Sequence, residues 1–91
     1  MPDVDAAALH ISSAVILAMP GRCAQLARRL AALPNTEVPY VHEGRIVVVF
    51  EAESSDVIGG RLAAIASMDG VLAANLVFEQ VETLDQPTGA P

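Results

Sequence analysis

Apolar residues in this chain gather in three runs where they fill consecutive positions instead of every second one: His10–Met19, Arg45–Ala52 and Val71–Val81. A strand with one wet face alternates apolar and polar residues, because successive side chains point to opposite sides of the sheet. Arg45-Ile46-Val47-Val48-Val49-Phe50-Glu51 and Val71-Leu72-Ala73-Ala74-Asn75-Leu76-Val77-Phe78 break that alternation, so both faces of these strands need cover. Two other stretches carry the helical period. Cys23, Leu26, Ala27, Leu30 and Leu33 follow Pro20, a residue suited to a helix start, until Pro34 stops the pattern. Ile58, Leu62, Ile65 and Met68 follow a cap at Ser54 or Ser55, with Asp56 in the first turn, until Asp69-Gly70. Pro34-Asn35-Thr36 is turn chemistry. Glu37–His42 is a short, weakly apolar strand whose Pro39 has no N–H to donate, which puts it at a sheet edge, and Glu43-Gly44 turns the chain into the next strand.

The predicted order is β-α-β-β-α-β. Right-handed crossovers then place both helices on one side of a four-stranded antiparallel sheet, the α+β, ferredoxin-like arrangement, with the first strand central, the third and fourth flanking it, and the second at the edge beside the third. A single domain is expected over residues 9–82. Residues 1–8 lack periodicity and residues 83–91 are rich in turn formers, so both ends are expected to be mobile.

Two helices on one face leave the other face bare. Arg45 and Glu51 argue that Val47 and Val49 point outward with them, and Asn75 and Glu79 argue the same for Ala73 and Val77. On the first strand His10, Ser12, Ala14 and Ile16 read as outward and Ile11, Val15 and Leu17 as core, although a slip of one residue reverses the two sets. A patch of Ile16, Val47, Val49, Ala73 and Val77 reaches the size that marks interaction sites. Burying ~400 Å² of it contributes roughly 10 kcal/mol gross at ~25 cal/mol/Å², before association costs. From composition alone, a second copy stacked sheet on sheet fits this face as well as a foreign ligand does. Charge placement favours the ligand. The third and fourth strands run in the same direction and bring Glu51, Glu53, Glu79 and Glu82 to one end of the sheet. Carboxylates beside an apolar face suit a peptide with arginines at one end and a hydrophobic stretch at the other; as a plain solvated rim they would carry no function.

Composition narrows the classes. The chain has 91 residues, a formal net charge of −6, 53% hydrophobic and 18% charged residues. That is one modest core, too apolar for global disorder and too acidic for a nucleic-acid backbone. Met1-Pro2-Asp3-Val4-Asp5 lacks the basic start of an export signal, and no apolar run approaches the ~20 residues of a membrane helix, so the expectation is a cytoplasmic protein without a membrane span. Cys23 is the single cysteine, which leaves no CxxC and reads as a small apolar helix residue.

Catalysis has little support, and no cofactor or metal is expected. His10 and His42 lie far apart in the chain with no recognisable triad or ligand spacing, and Ser12 and Ser13 have no visible base. Gly59-Gly60 lies in neither GxxxxGK[ST] nor GxGxxG and reads instead as close helix packing. Arg22, Arg28, Arg29 and Arg61 read as a solvated face. A small-molecule regulatory domain of the same topology would want more glycine than Met19-Pro20-Gly21 supplies. That class and a homodimerising module remain the alternatives.

His10-Ile11-Ser12-Ser13-Ala14-Val15-Ile16, then Gly44-Arg45-Ile46-Val47-Val49 with Glu51-Ala52-Glu53, then Gly70-Val71-Leu72-Ala73-Ala74 running into Leu76-Val77-Phe78 resemble the NapD family across roughly residues 9–82. The resemblance implies a cytoplasmic assembly chaperone of periplasmic nitrate reductase. Such a chaperone binds the twin-arginine signal peptide of the catalytic subunit, as a helix on the sheet, and holds back export until the molybdenum cofactor and iron–sulfur cluster are installed. A monomer or weak homodimer is expected. The expected contact set is His10, Ser12, Ala14, Ile16, Val47, Val49, Glu51, Ala73, Asn75, Val77 and Glu79. Members of the family often carry Tyr and His where this chain has Phe78 and Glu79, so one polar contact is expected to be missing and an acidic one gained.

Overall fold

The computed structural model of the protein describes residues 8–83; the ends expected to be mobile lie outside the described residues, except for Ala8 and Thr83, which belong to strands. The elements are β1 (Ala8–Ala18), α1 (Cys23–Ala31), β2 (Thr36–His42), β3 (Arg45–Ala52), α2 (Ser55–Ala66) and β4 (Val71–Thr83). The strands form one antiparallel sheet in the order β2-β3-β1-β4, the ferredoxin-like topology expected from the sequence.

Local chemistry sets the joints. Glu43 (φ 49°) and Gly44 (φ 84°) are both left-handed, the backbone of a two-residue hairpin turn whose twist matches the flanking strands. Ser54 caps α2 by accepting from the Val57 N–H at 3.3 Å. Helix α1 begins at Cys23 and not at Pro20, because Pro20 and left-handed Gly21 sit in a turn closed by the Arg22 N–H on the Met19 carbonyl at 3.0 Å. Leu33 falls past the end of α1 yet still packs on the core. Gly70 (φ 93°) starts the entry into β4, where a Cβ would come within 3.4 Å of Leu26 and Arg22.

The core is one layer between the helices and the sheet. Phe50, Val48, Ile46 and Ala52 of β3 and Ile16, Ala14 and Ala18 of β1 meet Leu26 and Leu30 of α1 and Ile58 and Ile65 of α2. Ser12, Ala14 and Ile16 are fully buried, so they face the helices. The outward assignment of these three is corrected, and Ile11, Val15 and Leu17 lie on the other side. The ladder with β3 dictates this: Ser12 pairs with Phe50, Ala14 with Val48 and Ile16 with Ile46, and directly opposed residues in an antiparallel pair share a face.

The arginines divide between roles. Arg22 pairs with Asp69 at 2.7 Å, and this guanidinium holds the Asp69 carboxyl below the usual carboxylate range. Arg61 reaches from α2 to the Pro34 carbonyl and to Thr36 Oγ1, tying the α1–β2 turn to the second helix. Arg28 and Arg29 are exposed on α1, as expected. Gly59 and Gly60 are exposed, and a Cβ on either would meet nothing within 4 Å. They do not mediate close helix packing, so the expected packing role is corrected. Gly60→Ala therefore stabilises the fold by about 0.5–1 kcal/mol through helix propensity, to be read as a higher midpoint in urea with an unchanged slope.

Candidate functional site

The sheet face opposite the helices can be read in rows from the strand register. At one end, His42, Arg45, Leu17 and Ala73 lie side by side across β2, β3, β1 and β4. The next row is Tyr40, Val47, Val15 and Asn75, and the one after it Glu37, Val49, Ser13 and Phe78. Then come Glu51, Ile11 and Gln80, and finally Leu9 with Glu82. The middle of this face is apolar, and no element among the described residues covers it. Tyr40 and Phe78, each about half exposed (50% and 52%), flank it on the two edge strands. The face is also polarised. Glu37, Glu51 and Glu82 occupy one end; Arg45 and His42 occupy the other, with the turn residue Glu43 beside them.

Two shallow recesses mark these ends on the β2–β3 side. One is lined by Asn35, Thr36, Glu37, Val49 and Glu51, where left-handed Asn35 accepts a hydrogen bond from the Glu51 N–H at 3.0 Å. The other is lined by Tyr40, His42, Glu43 and Arg45. His42 ends β2, with its ring 6.2 Å from that of Tyr40 and its Nε2 3.3 Å from a Glu43 oxygen.

Of the expected contact set, the structure brings Val47, Val49, Glu51, Ala73 and Asn75 together on the open face. Val77 is the extra residue of a bulge, left without a β1 partner between Leu76 opposite Ala14 and Phe78 opposite Ser13, and it is 60% exposed. That bulge changes the phase of β4. Beyond it Glu79 lies opposite Ser12 on the helix side, so its place on the open face is corrected. Its carboxylate accepts a hydrogen bond from the Ser55 hydroxyl at 2.8 Å, and His10 Nδ1 lies 3.5 Å from the same oxygen and 3.3 Å from Ser55 Oγ. His10 thus also leaves the open face, joining a clasp between β1, β4 and the start of α2. We expect Glu79→Ala to lower unfolding free energy by about 1 kcal/mol, the usual worth of such hydrogen bonds, and to leave ligand affinity at the open face unchanged in calorimetry.

The residues that sequence reasoning missed on the open face are Leu9, Ile11, Ser13, Val15 and Leu17 of β1, Glu37, Tyr40 and His42 of β2, and Phe78 and Gln80 of β4; Arg45 was read as outward and Glu82 was placed in the acidic cluster, but neither was in the contact set. The β3 pattern narrows β1 to two choices without deciding between them. With Val47 and Val49 outward, any ladder pairing them with β1 brings one complete alternate set of β1 residues to the same face. Among the described residues no group of three or more His, Cys, Asp or Glu side chains could hold a metal ion, and no helix is long and apolar enough to cross a membrane. Cys23 opens α1 half-buried against the core.

Fold and face together define a small ferredoxin-like protein with one open sheet surface, apolar in the middle and acidic at one end. Residues 9–83 match the family described as NapD protein. Chaperone NapD of Paracoccus pantotrophus is 50% identical over 78 residues, covering 86% of this chain and 70% of that protein. Chaperone NapD of Escherichia coli (strain K12) is 31% identical over 81 residues, covering 87% and 93%. The solution structure of the E. coli Tat proofreading chaperone protein NapD superposes with a TM-score of 0.72 at 29% identity, covering 91% of this chain and 90% of that one. The chain belongs to the NapD family. Its role is that of a chaperone, which acts on a client protein.

Proposed function

We propose that this chain binds the twin-arginine signal peptide of the catalytic subunit of periplasmic nitrate reductase on its open sheet face, in the cytoplasm, and delays export until the cofactors are loaded. The observation that carries this reading is the uncovered apolar face with Glu37, Glu51 and Glu82 at one end. An apolar peptide segment supplies the missing layer, and paired arginines meet the carboxylates in charge-assisted contacts. While bound, the segment is withheld from the export machinery. No chemical step is required of the chaperone, and the face offers binding groups in place of a nucleophile and base. The working unit is a monomer or weak homodimer.

Calorimetry with the cognate signal peptide tests the proposal. Binding with a negative heat-capacity change, the mark of apolar burial, supports it; equally weak binding of the cognate peptide and an unrelated export signal refutes it. The triple variant Glu37→Gln, Glu51→Gln, Glu82→Gln should bind about tenfold more weakly at low salt. It should also lose most of the salt dependence, since exposed pairs contribute on the order of 0.5 kcal/mol each and are screened as ionic strength rises. A wild-type salt slope in that variant would place the arginines elsewhere.

A further inference from the structure

The end of the open face opposite the carboxylates has no part in recognising arginines, yet it carries Arg45, which makes no ion pair among the described residues. From the proposed function above, on which this inference rests, we infer that Arg45 is the far stop of the site: it receives the C-terminal end of a single client helix and so sets both the direction and the length of the bound segment.

The face dictates a helix. β1 and β3 are central strands paired on both sides, so their backbone groups are directed to neighbouring strands within the sheet, and an occupant lying across the face satisfies its own backbone internally. Four strands spaced ~4.8 Å apart put the two edge strands about 14 Å from one another, room for one helix of ~10–12 Å diameter and not two. From Glu51 to Arg45 the strand advances about 20 Å, which a helix covers in ~13 residues. The polarity of the face fixes the direction. A helix carries partial positive charge at its N-terminus and partial negative charge at its C-terminus. The carboxylates therefore favour the N-terminal end, where the arginines are, and the Arg45 guanidinium favours the last carbonyls. The reverse direction opposes both charges.

The test uses the full chain, labelled with ¹⁵N, and two synthetic cognate signal peptides that carry a nitroxide either immediately before the arginine pair or ~13 residues after it, the helical length of the face. The first label should broaden the amides of Ile11, Glu51 and Glu82, and the second those of Leu17, Arg45 and Ala73. A reversed pattern, or equal broadening at both ends by either label, overturns the direction while leaving peptide binding itself intact. An extended segment would carry the second label off the face, and the absence of broadening by it would overturn the helix. If neither peptide binds, the functional proposal and this inference fall together. As a second measurement, Arg45→Glu should weaken binding about tenfold, and a peptide with lysine at the far position should recover most of that loss. Wild-type affinity in Arg45→Glu would remove Arg45 from the site.

Discussion

Replacement of Val47 by Asp is expected to eliminate client binding and leave the free protein folded. Val47 sits between Tyr40 and Val15 in the apolar middle of the open face, half-buried by its neighbours but facing no other element among the described residues. In the free chain a carboxylate there stays hydrated. Under a client it has neither water nor a cation, and an unpaired buried charge costs several kcal/mol. At least a hundredfold loss in Kd should follow, equivalent to about 2.7 kcal/mol, with little change in the thermal midpoint. Calorimetry and a melting curve on the same sample check both halves. Unfolding of the free variant would show that Val47 belongs to a packed layer.

A second large effect separates neighbours on β1. Ile16 is fully buried against the helices, whereas Val15 lies on the open face opposite Val47 and Asn75. Ile16→Ala should cost about 2–5 kcal/mol of stability through reduced apolar burial and the cavity that opens in its place. Val15→Ala should cost little stability but weaken client binding about fivefold, since the smaller side chain forfeits roughly 1 kcal/mol of apolar burial beneath the client. Denaturant titrations and calorimetry on the pair would expose an inverted β1: if Val15→Ala is the variant that unfolds, the strand faces the other way.

The element order and the topology were legible because each rests on a strong local signal: two helical stripes bounded by Pro34 and Gly70, the Glu43-Gly44 hairpin, and Pro39 keeping β2 at an edge. β3 was read correctly on both faces, since Arg45 and Glu51 bracket its outward residues. β1 was not, because Ser12 and Ser13 are adjacent and one of the two must be buried. The polar look of His10 and Ser12 suggested solvent, but Ser12 is buried with its hydroxyl unpartnered by protein and His10 turns to Ser55 and Glu79. On β4, strict alternation from Asn75 puts Glu79 outward. A one-residue bulge at Val77 reverses the count, and nothing in a period-two pattern announces a bulge. The acidic end of the face survived the error because Glu51 and Glu82 stay there and Glu37 joins them where Glu79 is lost.

The bulge at Val77 also bears on how such a protein keeps its own copies apart. β4 is an edge strand of 13 residues with Leu72, Val77, Phe78 and Val81 exposed, the kind of border along which chains add to one another strand by strand. Extra residues at Leu72 and Val77 interrupt its ladder with β1 at two points, and Glu79 turns a charge inward between the apolar positions. Bulges bend and twist an edge out of register with any straight neighbour, and an inward charge resists being covered. On a chain that also carries an uncovered apolar surface, such a border works against strand-by-strand addition of a second copy while leaving the face itself open.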